Sequence, residues 1–348
     1  MLLSRKHILP LLNALYRTGT NRISVSHPAT EIGELLEIRL KHPNETSVRL
    51  TMDLGDLNEG REEIRRRYGE TVHNDLPDAD EYVRAVTAGG LVPVANVSEI
   101  HEYISRHGYR DLEAGHGPLV LGIDTNIIPW ELPRILDLDH KYGTTDDAGR
   151  RPTNGYALAT GVKEELDWHY KHYETNSLVE AFGPEFERLT NQPAGSNRQG
   201  FLGLYAYRAL MAGRNVDRVE TGTGDESIVS GYLEYQQNSR KKPLLLSNDR
   251  GFVERSVDAG LLSQHVSFTP VLPRTVSATW KEIADTLYLL SVIFGALNLP
   301  KVTLFGVWNG KSGLGWQHEK LSCQFRSPKL EPLVERQMRV LDAYDDIR

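Results

Sequence analysis

PLVLGIDTN, residues 118–126, decides how this chain is read. Six residues, Pro118–Ile123, form a short, nearly unbroken apolar run, and Asp124 follows. A strand with one wet face alternates apolar and polar side chains, whereas a continuous run of this length is covered on both faces, as in a parallel sheet between helices. KKPLLLSND (241–249) repeats the pattern and ends at Asp249. Between them, GYALATGVKEELDWHYKH (155–172) starts as a strand and turns helical near Val162, and Asp225 opens a helical stretch, ESIVSGYLEYQQN. LSQHVSF (262–268) reads as a last strand. Strands alternating with helices predict an α/β region with a parallel sheet.

Outward from this region, 348 residues leave room for a second domain. With 39% apolar and 25% charged residues, the composition is that of a globular chain with a sizeable core. One cysteine, Cys323, excludes an intramolecular disulfide and a Cys-based zinc cluster, and fits a reducing compartment. A net charge of −7 argues against broad, nonspecific affinity for nucleic acid, though not against a local basic groove. The longest apolar run, LYLLSVIFGAL (287–297), is too short to span a bilayer and reads as a buried helix. The start, MLLSRKHILP, lacks the apolar core of a signal peptide. A cytoplasmic protein with no membrane partner is expected.

Three regions are expected. Residues 1–117 are mixed: helices within 4–17, 57–70 and 96–108, turn signals followed by a helical pattern over 73–86, one strand at 47–54, and the turn-like EAGHGP. Residues 118–269 are the α/β domain, with a helical segment near 129–138, a polar loop at 139–155 and a helical stretch over 180–213 broken near 195–200. Residues 270–348 carry a long helix at about 279–298, strand-like VTLFGVW, a hairpin-like NGKSGLG, a second strand in HEKLSCQF and a closing helix, giving an α+β extension.

Ligands of open α/β sheets sit beyond the carboxyl ends of the strands, where Asp124 and Asp249 both fall. Glu165 and Asp225 stand at the starts of predicted helices. Four converging carboxylates repel one another and raise their pKa values, a cost that a divalent cation removes. Hard oxygen ligands select Mg²⁺ or Mn²⁺.

In order and in apolar context, four segments resemble the motifs of the PIN-domain nucleases: Asp124-Thr125-Asn126, Val162-Lys163-Glu164-Glu165-Leu166, Asp225-Glu226-Ser227-Ile228 and Ser247-Asn248-Asp249. The resemblance covers about 150 residues of the chain. It implies a PIN-like three-layer fold with a central parallel sheet, flanked here by the mixed N-terminal region and the C-terminal extension. It also implies phosphodiester hydrolysis, usually of RNA, with one or two Mg²⁺ or Mn²⁺ ions. Asp124 and Asp249 would be direct ligands, Asp225 would complete the set, and Glu165 would hold a water or a second ion. Glu164 is the neighbouring alternative to Glu165, since only one of two adjacent helical residues faces a cleft. Asn126, Ser247, Asn248 and Arg250 would orient carboxylates or contact phosphate. Two other functions stay open: a nucleic-acid-binding or assembly module of the same fold with little hydrolysis, and a structure-specific DNA nuclease. A second copy of the chain or a regulatory protein is the protein partner class left open.

Weaker signals have plainer readings. VTLFGVWNGKSG lacks P-loop spacing, since three residues, not four, separate Gly306 from Gly310; a turn between strands fits better. His169 and His172 share a helical face but have no further zinc ligands in sequence. Basic residues at 198, 208, 214 and 218 would wall a substrate groove, while Arg240–Lys242 is a solvated turn. Trp308 and Trp316 are packing residues before they are base-stacking ones. A phosphatase of the haloacid-dehalogenase type would need an Asp at position 126, where Asn126 stands.

Overall fold

A computed structural model describes residues 1–41, 45–166, 174–195, 197–307 and 320–345. Numbered along the chain, the strands are β1 (Leu2–Leu3), β2 (Arg22–Ser26), β3 (Glu34–Arg39), β4 (Thr46–Leu50), β5 (Leu119–Ile123), β6 (Tyr156–Ala159), β7 (Val216–Val219), β8 (Lys242–Ser247), β9 (Leu262–His265), β10 (Thr275–Ala278), β11 (Ala296–Leu299), β12 (Val302–Phe305) and β13 (Leu321–Phe325). The chain divides into two compact units, each discontinuous in sequence. Met1–Val92, Tyr170–Arg198 and Pro270–Arg348 make one; Pro93–His169 and Gln199–Thr269 make the other.

The second unit holds a five-stranded sheet in the order β7-β6-β5-β8-β9, and every pairing is parallel. All of β5 and β6 is buried, which explains the continuous apolar runs in sequence. The chain moves outward from β5 through β6 and β7, then returns to the other side of β5 for β8 and β9. The strand order therefore reverses between β5 and β8, at a topological switch point. Helices Thr160–Leu166, Asp225–Asn238 and Arg250–Asp258 follow β6, β7 and β8. Tyr232 fixes the middle one to the sheet: it is buried, and its hydroxyl donates to Ala157 O at 2.7 Å. In place of one helix over 129–138 there is a 3-10 turn at Ile128–Trp130 and a short helix at Leu132–Ile135. β7 was not read from sequence, because VDRV is short, half-exposed and charged.

The first unit is built on an eight-stranded antiparallel sheet, β1-β13-β12-β11-β2-β3-β4-β10. Strands from both ends of the chain alternate in it: β1 pairs with β13, β2 with β11 and β4 with β10. This grouping differs from the sequence division at 117/118 and 269/270, because pairing between such distant segments leaves no local signal. Residues 93–117 belong instead to the parallel-sheet unit, where Asn96 donates to His265 O at 2.8 Å and accepts from Ser267 N at 2.9 Å. The apolar run 287–297 also divides. Helix Trp280–Phe294, opened by a Thr279–Glu282 capping box, stops at Gly295, whose φ of +77° turns the chain into β11. Over 180–213, the helices are Asn176–Phe182 and Asn197–Gly213 with a 3-10 segment, Pro184–Leu189, between them. No described helix is long and apolar enough to cross a membrane.

The core of the first unit contains a histidine. His27 is buried, its Nδ1 accepts from Ala29 N at 3.1 Å, and Phe182 and Phe186 meet its ring edge-on at 5.0 and 5.7 Å. Burial lowers its pKa from 6.5 to about 3, with nearby Asp75 opposing. The unfolded chain therefore binds a proton that the folded chain refuses, and stability falls as pH drops from about 6.5 toward 3. The expected loss at pH 5 is about 2 kcal/mol. His27→Leu should remove this share of the acid sensitivity; comparing urea midpoints at pH 7 and pH 5 checks it, and an unchanged pH dependence would sink the assignment.

Candidate active site

Asp124 follows β5 directly. Its N–H donates to Leu246 O at 3.0 Å, extending the β5–β8 pairing by one residue. Its carboxylate is 7% exposed and doubly held: Oδ2 accepts from Ser247 Oγ at 2.5 Å and Oδ1 from Thr125 N at 2.7 Å. Ser247 Oγ in turn accepts from Asp249 N at 2.9 Å. Asn126 ties the same strand ends together, donating to Ser247 Oγ at 3.3 Å and accepting from Asn248 N at 3.1 Å. Asn248 donates onward to Val266 O at 2.7 Å. Asn126, Ser247 and Asn248 thus brace two parallel strand ends and fix the direction of Asp124.

Glu165 comes from the helix after β6. Its Oε2 accepts from the hydroxyl of Thr125, the residue beside Asp124, and its Oε1 accepts from Gly224 N at 2.7 Å, the residue before Asp225. Glu164 is exposed and has neither contact. The loop 221–224 reaches this helix because position 161 is glycine: a Cβ there would lie 1.9 Å from Gly222 O. Thr160 and Thr221 close the junction, with Gly161 N donating to Thr221 Oγ1 at 2.9 Å and Thr160 Oγ1 donating to Thr221 O at 3.0 Å. Glu165 therefore links the first and third motifs.

Asp225 begins its helix, and its carboxylate pairs with Arg255 at 2.8 Å. Asp249 is exposed and caps helix Arg250–Asp258, accepting from Gly251 N at 2.7 Å and Phe252 N at 3.3 Å. Arg250 is exposed beside it. An open concavity of about 1040 Å³ borders Asp225, Arg255, Thr221 and Glu234.

Burial is the main reason that the Asp124 carboxyl is pushed up to about 6, and the negative charges of Asp225 and Glu165 add to it. The hydrogen bonds from Ser247 and Thr125 work the other way. Asp124, Glu165 and Asp225 thus lie within electrostatic range of one another. Oxygen donors of this kind suit a hard divalent ion. Among the described residues, however, no three His, Cys, Asp or Glu side chains are grouped as ligands for a metal. Asp225 is engaged by Arg255 and Asp249 by its own helix.

Three of the basic residues read as a substrate wall have other partners. Arg198 is buried in the first unit against Asp75, at 2.6 Å, and faces no solvent. Arg214 binds Asp139 at 2.9 Å. Arg218 pairs with Glu220 at 2.7 Å and Lys241 with Asp217 at 2.6 Å. His169, His172, Trp308, Gly310, Lys311, Ser312 and Trp316 lie outside the described residues. Sequence reading missed Thr125 and Arg255 as partners of the acids. Thr125 sits inside the first motif, so its signal was present; Arg255 becomes a neighbour of Asp225 only when two helices pack, and 30 residues separate them in sequence.

Comparison of the chain with protein-family models, with curated proteins and with solved structures gives no match.

Proposed function

We propose that this chain hydrolyses phosphodiester bonds, with RNA as its substrate and a PIN-like domain as its catalytic unit. The observation that carries the reading is Asp124: a carboxylate at the switch point of a parallel sheet, held in place by Ser247 and Thr125, and destabilised chiefly by its burial, with Asp225 and Glu165 adding to that. Such tension is costly in a structural residue and useful in a site that receives a cation. Asp124, Asp225, Asp249 and Glu165 would hold Mg²⁺ or Mn²⁺. When bound, that ion would supply an activated water and neutralise charge on the transferring phosphate. Ser247 and Thr125 keep Asp124 oriented without filling all its lone pairs, Asn126 and Asn248 hold the two strand ends in register, and exposed Arg250 would meet a phosphate. Release of Asp225 from Arg255 would free both for substrate and ion. The setting proposed is the cytoplasm.

Purified chain should cut labelled single-stranded RNA with Mn²⁺ and stop in EDTA. Asp249→Asn keeps a capping side chain and removes its charge; it should lower the rate by about 100-fold or more. Flap DNA run in parallel tests the DNA-nuclease alternative. A second reading, RNA binding without hydrolysis, is favoured by the ties of Asp225 to Arg255 and of Asp249 to its helix. Wild-type protein that neither cuts RNA nor takes up Mn²⁺ in a calorimetric titration would leave that second reading standing and remove the first.

A further inference from the structure

Asp225 stands at the fixed start of its helix, and its carboxylate meets a movable partner. The loop before it is pinned: Gly224 N donates to Glu165 Oε1 at 2.7 Å and Gly222 N to Ser227 Oγ at 2.9 Å. Arg255 reaches Asp225 Oδ2 through Nη1 at 2.8 Å, and among the described residues its guanidinium has no second partner. Both side chains are close to half exposed, 48% for Arg255 and 42% for Asp225. A one-point pair this wet is weak, and it lacks the two-pronged grip that an arginine can put on a carboxylate. Nor does the helix that carries Arg255 need the pair as an anchor. Arg250–Asp258 is held by buried Phe252 and Ser256 and capped by Asp249.

The surroundings give the pair a use. The concavity beside it is bordered by the carboxylates of Glu220, Asp225, Glu226 and Glu234, and among the described residues that line it Arg255 is the one cation. A phosphate entering there is repelled by every charged lining group but this one. A divalent ion approaching Asp225 is attracted by the acids, yet finds a guanidinium on the oxygen it needs. The same arginine therefore stands against the ion while it holds Asp225, and serves the phosphate once it lets go. We infer that Arg255 competes with the cation for Asp225 and is drawn off by a substrate phosphate, so that metal uptake and substrate binding each promote the other. The inference rests on the hydrolytic reading for the cation site and adds how that site is regulated. Arg255 is a positioning residue in the free protein and a phosphate ligand in the loaded one.

The test is calorimetric titration of Mn²⁺ into the full chain, without RNA. Arg255→Gln removes the competing charge and should bind Mn²⁺ about fivefold tighter, the scale set by an exposed ion pair. Arg255→Lys keeps a cation, and a one-point contact does not use the guanidinium fork; its Mn²⁺ affinity should stay within about twofold of wild type. A purely structural Arg255 predicts the opposite sign: without its tie Asp225 would lose its place, and Mn²⁺ affinity would fall. Repeating the titrations in saturating 5′-UMP, which carries a phosphate but no phosphodiester to cut, reads the coupling. The nucleotide should raise the Mn²⁺ affinity of wild type at least about threefold more than that of Arg255→Gln. Unchanged or weaker Mn²⁺ binding in Arg255→Gln, or an equal effect of 5′-UMP on both proteins, would overturn the inference. If none of the three proteins takes up Mn²⁺, it falls together with the cation site. Tighter Mn²⁺ binding in Arg255→Gln, with no RNA cut by wild type, would keep it and remove hydrolysis.

Discussion

Asp124→Asn is expected to make the protein more stable at pH 7.5 while abolishing RNA cleavage. The carboxyl rises from its ordinary 3.8 to about 6 in the folded chain, a difference of about 3 kcal/mol. A raised acid pKa means that the folded state holds a proton which the unfolded state has already released. The penalty is therefore absent below pH 3.8, grows through the interval to about 6, and is complete above it. In Asn the carbonyl oxygen can still accept from Thr125 N, while the amide nitrogen donates to Ser247 Oγ in place of the hydroxyl's donation, and no charge is carried. The gain in unfolding free energy should thus approach about 3 kcal/mol at pH 7.5 and nearly vanish near pH 4. Urea unfolding of both proteins at the two pH values reads the difference, and the effects of His27 cancel in the comparison. A variant no more stable than wild type at pH 7.5 would mean that neither burial nor the neighbouring acids penalise the carboxylate, and the cation-receiving role would lose its support. A more stable but inactive variant is the mark of a residue kept for chemistry at a cost in stability.

The second large effect lies in the other unit. Arg198 is 1% exposed, and so is Asp75. The guanidinium donates to Asp75 Oδ2 at 2.6 Å, to Asp75 O at 3.0 Å, to Ile293 O at 3.2 Å and to Pro193 O at 3.2 Å. Asp75 also accepts from Gly195 N at 3.2 Å. One ion pair thus holds three parts of the sequence together: the region around residue 75, the segment 193–198 and the end of helix Trp280–Phe294. Removing either partner leaves the other charged and dry. Arg198→Ala and Asp75→Ala should each cost about 3–5 kcal/mol. The double change to apolar residues, Asp75→Leu/Arg198→Met, should cost much less than the two single effects together, because neither charge remains to be desolvated. Urea midpoints measure all three; single variants within about 1 kcal/mol of wild type would show that water reaches the pair.

Much of the second unit was legible in sequence for one physical reason. β5 and β8 are buried on both faces, and nothing but a continuous apolar run builds such a strand. The acids that close those runs were legible for the same reason, and so was the helix that opens at Asp225. The first unit was far less so. β3 reads ELLEIR, and its Glu37 looks like a solvent residue; in the sheet it is 2% exposed and paired with Arg22, Arg39 and Arg49. Arg22 and Arg49 lie on neighbouring strands, so the partners that permit its burial exist only once the sheet does. Arg198 misled in the same way, since Asp75 is 123 residues away. In the site, the motif acids were read from local pattern, whereas the hold of Arg255 on Asp225 depends on packing that no local pattern records.

The alternation of terminal strands in the eight-stranded sheet also sets an order of events during synthesis. β2, β3 and β4 pair with one another over residues 22–50, yet the outer edges of this three-stranded piece belong to β11 and β10, from residues 275–299. At ordinary translation rates roughly 10–45 s separate the emergence of β4 from that of β10. All five strands of the parallel sheet leave the ribosome inside that interval. The nascent chain therefore completes its interior sheet first and carries two open strand edges until its last quarter arrives, which makes those edges the point where a ribosome-bound chaperone has most to protect.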